Sequence, residues 1–476
     1  MLFTGSGDLI PLYALYALLF ADHGLSTAQI SSLLAIWSLT AFVLEVPSGA
    51  WADTVSRRAL LILSSILLVG GFTAWTVAPS YLGFAIGFVL WGTAGALESG
   101  TFEALIYDDL VARGERGAYP RIMGYTRAAS EIAVVVAIMA AAPLYAWGGY
   151  ALVAWSSVAV AALHAVIALS MPRAPMAVSA GAVDELEDGP EVQLEKAVIP
   201  AAADRPPDTS SAAEQPNSVD LDGVGATLRR TPAGAGAAEI APTSTAVQLD
   251  SARSNGYVAG STDAVEPTAF GRYLMMLRTG IGEAIRVRRV RYGVLLGSLL
   301  YGITAFDEYF GLLAQSAGAA TAVVAVLVGV TVLGSTAGAL LAGRTEGMSA
   351  RTMAVALVIA AVLFIAGSLV AGLGADHPQS VYLLAGFGFA AIGAAYGVVY
   401  NSTVIAEARL QDSIEGPARA TVTSVAGLLA ELVALAIFGF VALATLWLSM
   451  ATTLALLGVV ILAIALVTPA WLPRKD

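Results

Sequence analysis

Positive charge in this chain alternates with long apolar segments in a way that leaves every second connection free of Lys and Arg. A bilayer-spanning helix needs roughly 20 mainly apolar residues, and about twelve segments of that length centre near Ala14, Leu39, Leu68, Gly92, Val134, Ala161, Ile303, Thr331, Leu363, Ile392, Ala430 and Leu457. The connections around Asp22–Thr27, Pro79–Ser80, Gly148–Gly149, Gln315–Ala319, Gly374–Pro378 and Ala442–Thr445 carry no basic residue. The alternate ones carry Arg57 and Arg58, then Arg113, Arg116 and Arg121, then a long central segment, then Arg344 and Arg351, then Arg409 and Arg419. Arg474 and Lys475 follow in the tail, and Arg127 is the exception inside a span. Positive charge stays cytoplasmic during insertion, so both termini and the central segment are expected on that side of an inner (plasma) membrane.

Composition closes off other classes. With 58% hydrophobic and 12% charged residues, the 476-residue chain lies outside the range of soluble globular proteins. The net charge of −11 is concentrated largely in the central segment, and nucleic-acid binding has no support. There is no cysteine, hence no disulfide, thiolate metal site or cysteine nucleophile. The first apolar segment lacks a basic region and a small-residue cleavage site, so it reads as a retained helix and not a signal peptide.

The expected fold is therefore an all-α membrane protein of twelve transmembrane helices in two pseudo-symmetric six-helix bundles. The organisation reads as an N-terminal bundle over residues 1–172, a cytoplasmic linker over 173–290, and a C-terminal bundle over 291–476. The linker holds runs such as AAADRPPDTSSAAEQPN that cannot bury enough apolar surface to offset ordering entropy, so it is expected to be largely disordered. Its end, Phe270–Tyr292, sets aromatic and aliphatic residues among six arginines, as in a helix lying on an anionic leaflet or in a plain basic flank. An acidic span residue, Glu131, follows IYDDL, and Glu431 follows AEARL at the same 300-residue offset, a faint internal repeat.

Between the second and third spans stands EVPSGAWADTVSRRALL, Glu45 to Leu61. Gly49 suits close helix approach, Asp53 suits a helix cap, and Arg57 with Arg58 suits either a gate latch or a purely topogenic loop. Gly49, Asp53, Arg57 and Arg58 resemble the loop motif G-x-x-x-D-x-x-G-R-K/R of the major facilitator superfamily, with Ser56 in place of its second glycine. Together with EVPSG, IYDDL and RATVTS, the chain resembles a drug-efflux-type subgroup of that superfamily across both bundles. The resemblance implies that Asp53, Arg57 and Arg58 latch the cytoplasmic side between the halves. It also implies alternating access. Two departures are the absence of an arginine in helix four, where WGTAGALESG offers Trp91 and Glu98, and Ala142, Pro143, Ala146 and Trp147 in place of a glycine-rich helix-five motif.

Ionisable groups inside a span are costly unless paired or neutral, which makes each a functional candidate. Glu45, Glu98, Glu131 and Glu431 fall near mid-depth, with Asp307 and Glu308 further out. A desolvated carboxylate takes up a proton more readily, and this suits a group charged on one side and neutral on the other. The candidates for proton coupling or substrate contact are Glu45, Glu98, Glu131, Asp307 and Glu431. Arg127, one turn before Glu131, suits an i,i+4 contact. Asp307 and Glu308 diverge by about 100° and cannot both face one cavity. Glu103, Asp108 and Asp109 suit capping or pairing with Arg113 or Arg116. His164 suits a buried contact to a hydroxyl or a proton relay. Tyr13, Tyr16, Tyr301, Tyr309, Tyr396 and Tyr400 suit packing or stacking on an aromatic or cationic ligand.

The expected activity is proton-coupled export of neutral or cationic amphipathic small molecules. Deep carboxylates with hardly any deep base leave anionic substrates without neutralisation. Uptake by symport, or a transport-dead receptor that recruits a partner through the linker, are the alternatives. No nucleophile, metal or phosphate-cradling constellation suggests an enzyme, and no cofactor is expected. The expected partners are a small-molecule substrate, protons and the lipid bilayer, with the protein a monomer.

Overall fold

The computed structural model of the chain describes residues 1–174, 286–414 and 419–473, with the side chains of Val46, Ala50, Asp53 and 419–421 left aside. The linker and its basic end therefore lie mostly outside the described residues. Among the latter every regular element is a helix.

Helices α1 (Leu2–Asp8) and α2 (Tyr16–Asp22) make the first span in two pieces. The break is written in the sequence. Pro11 lacks an N–H, and it holds Ile10 extended at φ −104°, so the backbone cannot carry the helix through. Next come α3 (Thr27–Thr54), α4 (Arg57–Val77), α5 (Tyr81–Glu98), α6 (Thr101–Arg113) and the long α7 (Tyr119–Ala168). The second half holds α8 (Arg288–Ile303), α9 (Phe310–Ser316), α10 (Thr321–Thr345), α11 (Ala350–Gly372), α12 (Val381–Ser413), α13 (Arg419–Ala444) and α14 (Met450–Trp471).

Ten stretches among the described residues are long and apolar enough to cross a bilayer. One of them, Arg116–Ala168, turns at Gly148–Gly149 and counts as two spans. Arg288–Ser316, interrupted by a 3-10 stretch at Thr304–Tyr309, supplies the twelfth. Side chains such as Leu340 and Leu466 are 77% and 74% exposed, an outward apolar surface that water would not tolerate and lipid would.

Small residues let the helices approach. A Cβ on Gly338 of α10 would stand 2.0 Å from the Gly397 carbonyl oxygen of α12, so only hydrogen fits where these two backbones meet. The two halves pack through α3 against α13 and through the first part of α7 against α10.

Candidate functional site

The carboxylates chosen from the sequence separate into three places. The first is a cavity of about 310 Å³ inside the N-terminal half. Asp8 closes α1 and Glu98 closes α5, and both line it together with Thr4, Gly7, Tyr13, Ser64, Trp91 and Ser130. Glu98 ends its helix because Gly100, two residues on, adopts φ +68°, a left-handed conformation that breaks the span before α6 resumes. Ser130 Oγ donates to the Asp8 carboxylate. The wall is aromatic: Tyr13 stacks on Trp91 with centroids 5.2 Å apart, and Trp37 stacks on the other side at 5.0 Å. His164 lies behind Gly7, its Nδ1 3.0 Å from Ser6 Oγ and 3.1 Å from the Phe3 carbonyl.

The second place is the seam between halves toward the face poor in arginine. Tyr16 on α2 donates to Glu308, and Ser38 on α3 donates to Glu431 on α13. Ser31 and Tyr309 exchange a hydrogen bond of 2.7 Å across the same seam. At its outer edge Asp22 accepts from Gln315 at 2.7 Å and from Tyr150 at 2.6 Å. Ser38 is ~17 Å along α3 from that edge, so the seam is zipped to about half the membrane depth. Asp307 does not join it. It accepts from Tyr396 at 2.8 Å within its own half, so the adjacent pair divides with Glu308 crossing and Asp307 staying home.

The third place is the gap that opens toward the arginine-rich face. Glu45, Arg127, Glu131, Tyr301 and Glu407 are exposed there. Glu45 accepts from Ser99 at 3.3 Å and lies close enough to Glu431 for their charges to repel. Arg127 and Glu131 form no ion pair despite their spacing. Arg127 instead lies close enough to attract Glu407 on α12, across the gap.

In the loop motif, the two arginines make contacts within the N-terminal half. Arg57 is 2% exposed and holds Asp108 at 2.6 Å, with further hydrogen bonds of 3.2 Å to the Ala52 and Ala104 carbonyls. These contacts tie α4 to α6 inside the N-terminal half and do not span the two halves. Of the acids expected to cap or to pair with Arg113 or Arg116, Asp109 meets Arg113 at 2.8 Å, while Asp108 turns to Arg57. The reason is helical phase: neighbours point apart, so one faces the bundle and the other solvent. Arg58 donates to the carbonyls of Met171 and Leu169 at the end of the sixth span. Gly49 meets nothing within 4 Å of a built Cβ, so no close approach requires it here. Ser56, at φ −54°, accepts from Ala59 N and caps α4, a role that needs no glycine. The Asp53 side chain lies outside the described residues.

Sequence reasoning missed Asp8, Glu308 as the crossing residue, and Glu407. Asp8 had a legible signal, an acid in the first apolar stretch just before Pro11. Glu308 had none, because its partner stands 292 residues away.

A model described as Major Facilitator Superfamily matches residues 1–430. No curated protein matches the chain. Among solved structures, a mutant of the nucleoside transporter NupG is similar with a TM-score of 0.62 at 11% identity, covering 99% of this chain and 98% of that one. A D-xylose-proton symporter is similar with a TM-score of 0.58 at 14% identity, covering 99% and 97%. A POT family transporter in complex with a thioalcohol-conjugated peptide follows with a TM-score of 0.57 at 13% identity, covering 98% and 94%. At such identities the likeness is one of fold.

Proposed function

The chain belongs to the major facilitator superfamily, a multi-pass membrane transporter, and from that premise we propose that it exports neutral or cationic amphipathic molecules in exchange for protons. It works as a monomer in the inner membrane, with the arginine-rich face and both termini cytoplasmic. The observation that carries this reading is the pair of hydroxyl-to-carboxylate hydrogen bonds, Tyr16 to Glu308 and Ser38 to Glu431, that joins the halves.

Such a bond is about twice as strong when the acceptor is ionised. Ionised Glu308 and Glu431 therefore hold the outer seam shut, and protonation loosens it. A proton taken up from outside while the seam is open is given up as the seam closes, and it leaves through the gap on the arginine-rich side. Substrate entering by that gap moves the other way. Glu45, Glu131, Arg127 and Glu407 line the route, while Asp307, tied to Tyr396, steadies the 3-10 break that presents Glu308. The scarcity of basic side chains along this path supports a neutral or cationic cargo.

The test is reconstitution in vesicles under an imposed pH gradient with a panel of cationic dyes. Dye movement against its gradient, with matching proton flux, is expected. Glu308→Gln and Glu431→Gln should lose gradient-driven accumulation and keep dye exchange between equal pools. Dye movement with the proton gradient would establish uptake, and silence with every compound would favour a receptor.

A further inference from the structure

The cavity inside the N-terminal half belongs to no step of the seam mechanism. It is nevertheless built for a particular charge. Asp8 and Glu98 reach it from two different spans, and among the described residues no basic side chain lines it. It lies where α1 and α5 end, so the negative poles of two helices converge on it. Discontinuous spans that aim helix ends inward are the places where carriers hold ions.

An independent observation comes from His164, 1% exposed. Its Nδ1 faces the Phe3 carbonyl at 3.1 Å, which can only accept, so Nδ1 carries the proton. That leaves Nε2 as a bare lone pair, and it has no hydrogen-bond partner. The ring lies against Gly7, a residue of the cavity lining, with Cε1 3.2 Å and Nε2 3.7 Å from where a Cβ on Gly7 would stand. An acceptor buried unpaired is costly, and a donor brought by a ligand would relieve it. Tyr13 and Trp91, stacked on each other, add an aromatic wall against which an apolar body can pack. The volume, about 310 Å³, is at the low end for small-molecule sites.

We propose that this cavity binds the ammonium head of an amphipathic amine, with Asp8 and Glu98 taking its N–H donors and Trp91 with Tyr13 packing against its body. The inference rests on the reading of the chain as a carrier of cationic amphipaths, and it places the substrate within one half and apart from the proton sites in the seam.

The experiment is titration calorimetry of the full-length protein in lipid nanodiscs with phenethylammonium near neutral pH. Wild type should bind it. Asp8→Asn and Glu98→Gln should each weaken binding about tenfold or more, the loss of a hydrogen bond to a charged group. The trimethylammonium analogue, which has no N–H to donate, should bind at least about tenfold more weakly, and sodium should not compete. Trp91→Phe keeps a ring and should bind, whereas Trp91→Leu should not, a pair that decides the matter if a carboxylate variant fails to fold. No binding to wild type, or wild-type affinity in both carboxylate variants, overturns the proposal. Displacement by sodium also overturns it, in favour of a metal-ion site. The vesicle flux assay separates the two readings. Flux without any dependence of binding on Asp8 or Glu98 sinks this inference alone, and carboxylate-dependent binding without flux sinks the transport reading alone.

Discussion

The first span of each half breaks near its middle beside an acidic residue, and the two breaks put their acids to opposite use. In the N-terminal half the break after α1 leaves Asp8 on the wall of a cavity, with Ser130 as its hydrogen-bond donor. In the C-terminal half the 3-10 stretch Thr304–Tyr309 sends Asp307 to Tyr396 and Glu308 to Tyr16 of the other half. A carboxylate committed to tyrosines can report on whether the halves touch, and one facing a cavity can take a ligand. On the proposed function and the inference drawn from the cavity, the two breaks divide the work: the N-terminal break for cargo, the C-terminal break for coupling.

The arginine-rich ends of the halves differ in the same spirit. Arg57 closes on a carboxylate, whereas Arg409, 5% exposed on α12, donates to the backbone carbonyls of Glu346 and Met348. Removing one member of a buried ion pair strands a charge at a cost of about 3–5 kcal/mol. Arg57→Met should therefore lower the melting temperature in detergent far more than Arg409→Met. Equal losses would erase the contrast at this end of the molecule.

A smaller effect separates the two breaks directly. Glu308→Gln should abolish accumulation driven by a pH gradient and leave phenethylammonium affinity within about twofold, since a charge-assisted bond worth ~1.5–3 kcal/mol is lost at the seam and not in the cavity. Asp8→Asn should do the reverse, with weakened binding while proton leak through the seam is unchanged. If either variant loses both functions alike, the division of labour fails.

Tyr396→Phe comes next. It removes a single hydrogen bond to Asp307, worth about 1.5–3 kcal/mol to a charged acceptor and less to a neutral one. The expected result is a fall of a few degrees in melting temperature with accumulation slowed but retained. Complete loss would move coupling from Glu308 to Asp307.

The smallest effect is expected from deleting residues 178–262, whose composition cannot build a core. Transport and binding should both persist at normal membrane abundance. Loss of flux alone would give the linker a part in the cycle and raise the receptor reading.

Much of this was open to reading from residues alone. Twelve spans follow from apolar length and arginine spacing because a bilayer leaves the backbone no other solution. The break at Pro11 follows from a missing N–H, and the mid-depth acids stand out because charge in a span is costly. The Ser56 cap is a local matter of three residues, legible in principle though a glycine was expected there.

What the residues did not disclose are pairings. Arg57 and Asp108 are 51 positions apart, Ser38 and Glu431 are 393, and Tyr16 and Glu308 are 292. Which of Asp307 and Glu308 turns to the other half depends on a 3-10 stretch that itself contains neither proline nor glycine. The cavity at Asp8 exists because spans remote in the chain, two of them ending at its wall, enclose it. Chain composition and spacing determined that this protein spans a membrane twelve times and carries acids at depth. Tertiary structure alone decided which acid meets a hydroxyl, which an arginine and which an empty space, because those choices depend on helix rotation and packing between segments remote in the chain.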